Sequence, residues 1–256
     1  MFVLIKINTM IKEAIKTNLN YKVPARLLSS GFTNAKTKKN KLKTFILYLS
    51  PHKQNSKNKN LCPFASEGCA SACLYTAGRG KFSNVQNARI NKTEYFLSDK
   101  IGFLKQLLSE LIKEYKKAEK NNYKIAVRLN GTSDIDFLHL LKNNFGFDLD
   151  YFGGRVLFYD YTKDFKRALK YKDNKFYSLT FSRSETNFDQ CKEALKQGVN
   201  ISAVFSGDLP EYYEGFKVVD GDTADDIMLE KSGVILGLRA KGEGKKDKSG
   251  FVINKY

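Results

Sequence analysis

Between Ile101 and Tyr115 the apolar residues Leu104, Leu107, Leu108, Leu111 and Ile112 recur three and four positions apart, which puts them on one face of a helix. Ser98 or Asp99 stands where the cap of that helix belongs. Upstream, residues 44–49 (TFILYL) form a short β-favouring run that reads as a buried strand. Downstream such runs become regular, at residues 124–129, 155–159, 176–181, 200–205, 217–219 and 233–238. Helix-like segments fit between several of them, at residues 135–143, 163–171 and 187–197. Strands alternating with helices predict βαβ units and a parallel sheet. The expected fold is therefore α/β, a mostly parallel sheet curved into a partial or complete barrel, with extra helices between the first and second strands.

Polar residues gather just after these strands. Asn130, Ser133 and Asp134 follow the run at 124–129, and Asp160, Tyr161 and Lys163 follow the next. Ser182, Arg183 and Ser184 follow the third, and Asp220, Asp222, Asp225 and Asp226 a later one. In a parallel α/β fold the carboxyl ends of the strands share one face, where ligands bind. The four aspartates could take a divalent cation or be a solvated loop.

The segment Leu61–Gly80 (LCPFASEGCASACLYTAGRG) carries the densest chemistry. Cys62, Cys69 and Cys73 are separated by six and then three residues, and Cys69 and Cys73 would share a helical face four positions apart. Three thiolates on one loop can hold three corners of a 4Fe–4S cluster and leave the fourth iron open. The alternatives are a zinc site completed by His52, and three small buried side chains without a metal. Cys191 falls in an amphipathic segment (FDQCKEAL) and reads as core, and His139 reads as a structural helix residue. No phosphate-binding glycine loop and no dinucleotide fingerprint occurs.

Composition narrows the class. The 256 residues include 19 Phe and 14 Tyr, enough aromatic mass for a sizeable core. No apolar run approaches the roughly 20 residues that a membrane span needs, and the N-terminus does not read as a secretion signal. Crowding of three of the four cysteines argues against a disulfide framework and for an intracellular metal site. Net charge is +17, and residues 1–60 hold twelve Lys and one Arg against the single acid Glu13. We read residues 1–43 as a basic extension and 44–256 as one barrel-like domain. Lys36, Lys38, Lys39, Lys41 and Lys43 are its candidate contacts to nucleic acid or to an acidic host protein. In that second reading the protein is non-catalytic and its metal is structural.

The segments LCPFASEGCASACLYTAGRG, VRLNGTSD, FYDYTK, LTFSRSE, VVDGD and LGLRAKG, in this order from about Lys41 to Phe251, resemble a family of phage-encoded proteins of unassigned function. More remotely, three cysteines after the first strand of a partial barrel are similar to the radical S-adenosylmethionine (SAM) superfamily. That resemblance implies a 4Fe–4S cluster on Cys62, Cys69 and Cys73, with SAM on the open iron. It implies that Arg128, Asn130, Ser133 and Asp134 contact SAM or substrate. Asp160, Lys163 and Ser182 would then complete a catalytic pocket by proton transfer or polar positioning. The superfamily's usual spacing is three then two intervening residues, and its Gly-Gly-Glu segment is absent here. Fold and cluster therefore carry over more readily than SAM, and the substrate does not carry over. Phage origin would place the protein in the bacterial host cytoplasm.

Overall fold

A computed structural model describes residues 21–31, 39, 41–224, 228–229 and 232–254. Its centre is a ten-stranded sheet: β1 (Leu28–Ser30), β2 (Lys43–Leu47), β3 (Ile125–Arg128), β4 (Val156–Thr162), β5 (Tyr177–Ser182), β6 (Ile201–Phe205), β7 (Tyr212–Tyr213), β8 (Phe216–Asp220), β9 (Ile235–Arg239) and β10 (Val252–Ile253). Spatial order is β1-β2-β3-β4-β5-β6-β9-β8-β7, with β10 also on β6. Only β1 on β2 and β7 on β8 pair antiparallel. Among the described residues the sheet does not close on itself. β5 pairs with Ile201 and Ser202 of β6, and β10 takes over the edge at Val204 and Phe205. The sheet thus parts at its carboxyl end, and the last strand fills the split.

Three helices, α1 (Glu67–Ser71), α2 (Ser83–Ser98) and α3 (Lys100–Lys120), intervene between β2 and β3. Then α4 (Phe137–Phe145), α5 (Phe165–Lys170) and α6 (Phe188–Lys196) each follow a strand. Aspartates start three of them: Asp99, Asp136 and Asp164 accept the N–H of Gly102, His139 and Arg167. The α2 segment escaped the hydrophobic pattern because its buried residues, Thr93, Glu94, Tyr95 and Phe96, are adjacent rather than on helical spacing. Among the described residues no helix is long and apolar enough to cross a membrane.

Alternation along the strands divides the sheet into two unlike faces. One carries Phe45, Leu47, Val127, Phe158, Leu179, Phe181, Ile201 and Phe205, and forms the main core with the helices. The other is smaller and more polar. There Ala126, Tyr159 and Leu236 pack on Met228, and Ser178 Oγ donates to the Met228 carbonyl at 2.8 Å. Within the span read as a basic extension, Tyr21, Leu27 and Leu28 are buried and β1 borders β2. Leu27 and Leu28 are fastened by their N–H groups to the Glu110 carboxylate at 2.8 and 2.9 Å. Lys36 and Lys38 lie outside the described residues, as do Asp225 and Asp226.

Candidate functional site

The loop after β2 carries all three clustered cysteines to the carboxyl end of the parallel strands. Ser66 caps α1 by accepting the Cys69 N–H at 3.2 Å. Glu185, beyond β5, clamps the start of the same helix, accepting from Ser66 Oγ at 2.7 Å and Gly68 N–H at 2.9 Å. A side chain at Gly68 would meet Ser249 Oγ and Phe251 Cβ at 2.3 and 2.6 Å, so glycine is what lets α1 press on the C-terminal segment. The expected helical pairing of Cys69 with Cys73 does not occur. The helix ends at Ala72, whose N–H bonds to Gly68 O, and Cys73 is extended at φ −58°, ψ 131°. Two residues on, the Tyr75 ring is buried.

The cysteines still converge, and each is half-buried. Burial pushes the Cys62 thiol up to about 12, against the pull of a hydrogen bond from the His52 backbone; Asp134, Cys73 and Cys69 add to the rise. Burial also raises Cys69, with Lys163 opposing, and Cys73, with the Tyr75 N–H and Arg89 opposing. The thiols are close enough to feel one another, with Lys163 near Cys69 and Arg89 near Cys73. Among the described residues no three His, Cys, Asp or Glu side chains already stand in a metal-ligating arrangement. A metal would have to draw the thiols inward, releasing their protons as it bound. Three soft donors beside Lys163 and Arg89 suit an anionic thiolate–metal group. His52 meets Cys62 through its backbone, with Leu61 N–H returning to His52 O at 3.0 Å.

The turn Asn130–Asp134 binds the cysteine loop to the sheet. Asn130 N–H donates to Asp160 Oδ1 at 2.8 Å, and its Oδ1 accepts from Ser133 Oγ at 3.0 Å and Ile135 N–H at 2.8 Å. Gly131 N–H reaches Leu47 O at 2.9 Å, Asp134 N–H reaches Leu61 O at 2.8 Å, and Cys62 Sγ lies 3.8 Å from Thr132 O. Gly131 has no room for a side chain, since a Cβ would stand 2.4 Å from the Tyr48 ring. Asp134 accepts the Lys163 N–H at 2.9 Å and pairs with the buried Arg167 guanidinium. Asp160 is on the helix-packed face, 2% exposed, and burial raises its carboxyl to about 6 despite Arg128, the Asn130 N–H and Arg167.

The remaining residues singled out from the sequence divide between the cysteine loop, the smaller sheet face and positions away from both. Lys163 Nζ donates to Arg183 O at 3.0 Å and lies 5.1 Å from the Phe251 ring centre, beside Cys69. Arg128 stacks on Tyr161 at 4.8 Å, and Ser182 Oγ meets Ser202 Oγ at 3.1 Å. These groups belong to the smaller, polar face of the sheet by strand register. Asp220 and Asp222 are not an open cation site, because Arg239 and Lys241 neutralise them at 2.9 and 2.6 Å. Cys191 is fully buried in α6, and His139 lies exposed on α4 with Nε2 2.9 Å from Asn143.

A model of the family described as Gene product 88 matches residues 25–255. The chain belongs to that family. The Gene product 88 match agrees with the expected phage-type relationship and brings nothing to the radical SAM likeness. No curated protein and no solved structure matches the chain.

Two residues of this Gene product 88 chain that matter at the site were not marked from sequence. Arg89, on α2, is held between the rings of Tyr48 and Tyr75 at 4.9 and 5.5 Å, and its Nε and Nη1 are buried without a hydrogen-bond partner among the described residues. Burial lowers its pKa, with Tyr48, Tyr75 and Cys73 opposing. Glu185 is the other. Local sequence offered no signal for either, because Arg89 sits in a polar helix and Glu185 in an ordinary polar loop.

Proposed function

We propose that this protein binds an iron–sulfur cluster through Cys62, Cys69 and Cys73 and works as a radical SAM-like enzyme at the carboxyl end of a barrel-like sheet. The observation that carries the reading is the convergence of three thiols with two cations, Lys163 and Arg89, at that end of the parallel strands. A 4Fe–4S cluster with one open iron, when bound with SAM, supplies one-electron radical chemistry. The protein's own contributions are positional. Lys163 and Arg89 offset the negative charge of deprotonated thiolates. The Asn130–Asp134 turn, tied to Asp160 and Arg167, holds the cysteine loop in place. Arg128, Tyr161, Ser182 and Ser202 offer a cation, a ring and two hydroxyls on the smaller sheet face, where a polar substrate would be oriented and screened from water. Asp160 acts as a positioning residue in this scheme.

Anaerobic reconstitution with iron and sulfide, followed by electron paramagnetic resonance of the reduced protein with and without SAM, tests both parts. We expect a cluster signal that SAM perturbs. Cys62→Ala, Cys69→Ala and Cys73→Ala should each lose most of the iron, while Cys191→Ala keeps it, since the latter costs only packing. Stoichiometric zinc without iron, or full iron retention in Cys69→Ala, would overturn the proposal.

A further inference from the structure

The outer surface of α3 carries a feature that the cysteine site does not use. A groove of ~660 Å³ runs along it, rimmed by Lys105, Lys113, Lys116, Lys117 and Lys120 and floored by Ile112 and Phe145. Among the described residues no acidic side chain lines it. Of the five lysines only Lys117 is in an ion pair among the described residues, with Glu114 at 2.9 Å. Lys113, Lys116, Lys117 and Lys120 are exposed. Because α3 runs antiparallel to the strand it feeds, its lysine-rich end lies toward the amino ends of the strands, away from the cysteines. Exposed Lys124, four residues past Lys120, extends the positive charge toward β3.

This arrangement works against the helix. Lys113 and Lys117, and Lys116 and Lys120, are like charges one turn apart, which repel in an isolated helix. Only the last turn gains from the helix dipole. A polyanion laid along the stripe would relieve the repulsion and release its counterions. From Lys105 to Lys120 the stripe spans ~22 Å at 1.5 Å per residue, a length along which one strand of a duplex presents about six phosphates. Single-stranded nucleic acid is held largely by aromatic platforms, and the groove has just the half-buried Phe145. We infer that the α3 groove is a docking surface for the phosphate backbone of a nucleic-acid duplex, read by charge rather than by base sequence. The inference does not depend on the metal reading.

Fluorescence anisotropy with a labelled 20-base-pair duplex, titrated at several salt concentrations, tests it on the full chain. The Lys113→Gln/Lys116→Gln/Lys120→Gln variant should bind at least tenfold more weakly at low salt. Its log–log salt dependence should be shallower by roughly 2–3, about 0.9 per phosphate contact removed. Lys245→Gln/Lys248→Gln, on an exposed loop elsewhere, should bind like the wild type. A second measurement uses the wild type alone: duplex should protect Lys113, Lys116 and Lys120 from acetylation, read by mass spectrometry. Unchanged affinity and slope in the triple variant, or no protection, overturns the inference. So does tight binding of a polyglutamate peptide without duplex binding, which would make the partner an acidic protein.

Discussion

Removing the Asp134 carboxylate should reveal whether the Asn130–Asp134 turn is a fastening or a ligand contact. The Asp134 and Arg167 side chains are 10% and 5% exposed, and the carboxylate also accepts the Lys163 N–H at 2.9 Å. Burial works against the Arg167 charge, and Asp134, with Tyr177 and Asp160, more than offsets it, holding its pKa up. Asp134→Ala leaves that guanidinium buried without its main partner, with its Nε already lacking a hydrogen-bond acceptor among the described residues. Breaking one side of such a pair costs about 3–5 kcal/mol. For a domain of this size that lowers Tm by roughly 6–20 °C, at ~2–4 °C per kcal/mol. Arg167→Met alone strands the carboxylate and should cost a similar amount. The double variant, which buries neither charge, should recover a large part of the loss, with a coupling of about 2 kcal/mol or more. Urea unfolding at pH 7 of the wild type, both single variants and the double variant measures the cycle. Single losses under ~1 kcal/mol, or additive losses, would refute the fastening role and return Asp134 to the pool of residues free to meet a ligand.

Two further outcomes follow from other contacts. Burial raises the Asp160 carboxyl from its usual range to about 6, so the fold favours its protonated form. Its contribution to stability is full below the unfolded pKa near 4 and is lost as pH rises through 6, about 3 kcal/mol over that window. Asp160→Asn should flatten the pH dependence of urea stability between pH 4 and 6, and an unchanged profile would refute the assignment. Glu185→Ala removes the acceptor of Ser66 Oγ and Gly68 N–H, a loss of about 2 kcal/mol of local stability. Cys69 in the metal-free protein should then react severalfold faster with a disulfide reagent. Equal labelling rates would mean that α1 does not need the clamp.

The regular part of the fold was legible along the chain. Helix α3 spaces its leucines at three and four, and β2 to β6 are dense in β-branched and aromatic residues, so period and composition agree with the observed elements. Ser98 or Asp99 marked the start of that helix for the same local reason, and Asp99 is its cap. The basic balance and the three crowded cysteines were equally plain, because they are properties of composition and spacing. Elements held by contacts elsewhere left no such trace. β1 and β10 are three and two residues long and exist because β2 and β6 offer open edges. Cys73 lies beyond the end of α1, which the four-residue spacing to Cys69 did not reveal. Among the residues read as SAM or substrate contacts or as pocket groups, Asn130 bonds to Ser133 and Asp160, and Asp134 to Arg167 and the Lys163 N–H, since parallel β3 and β4 bring their loops together at one end. Arg89 and Glu185 reach the cysteine loop from a polar helix and a distant loop, 16 and 112 residues in sequence from Cys73. Spacing along the chain reports on one element at a time, whereas the partners of a buried charge are set by which elements the packed sheet makes neighbours.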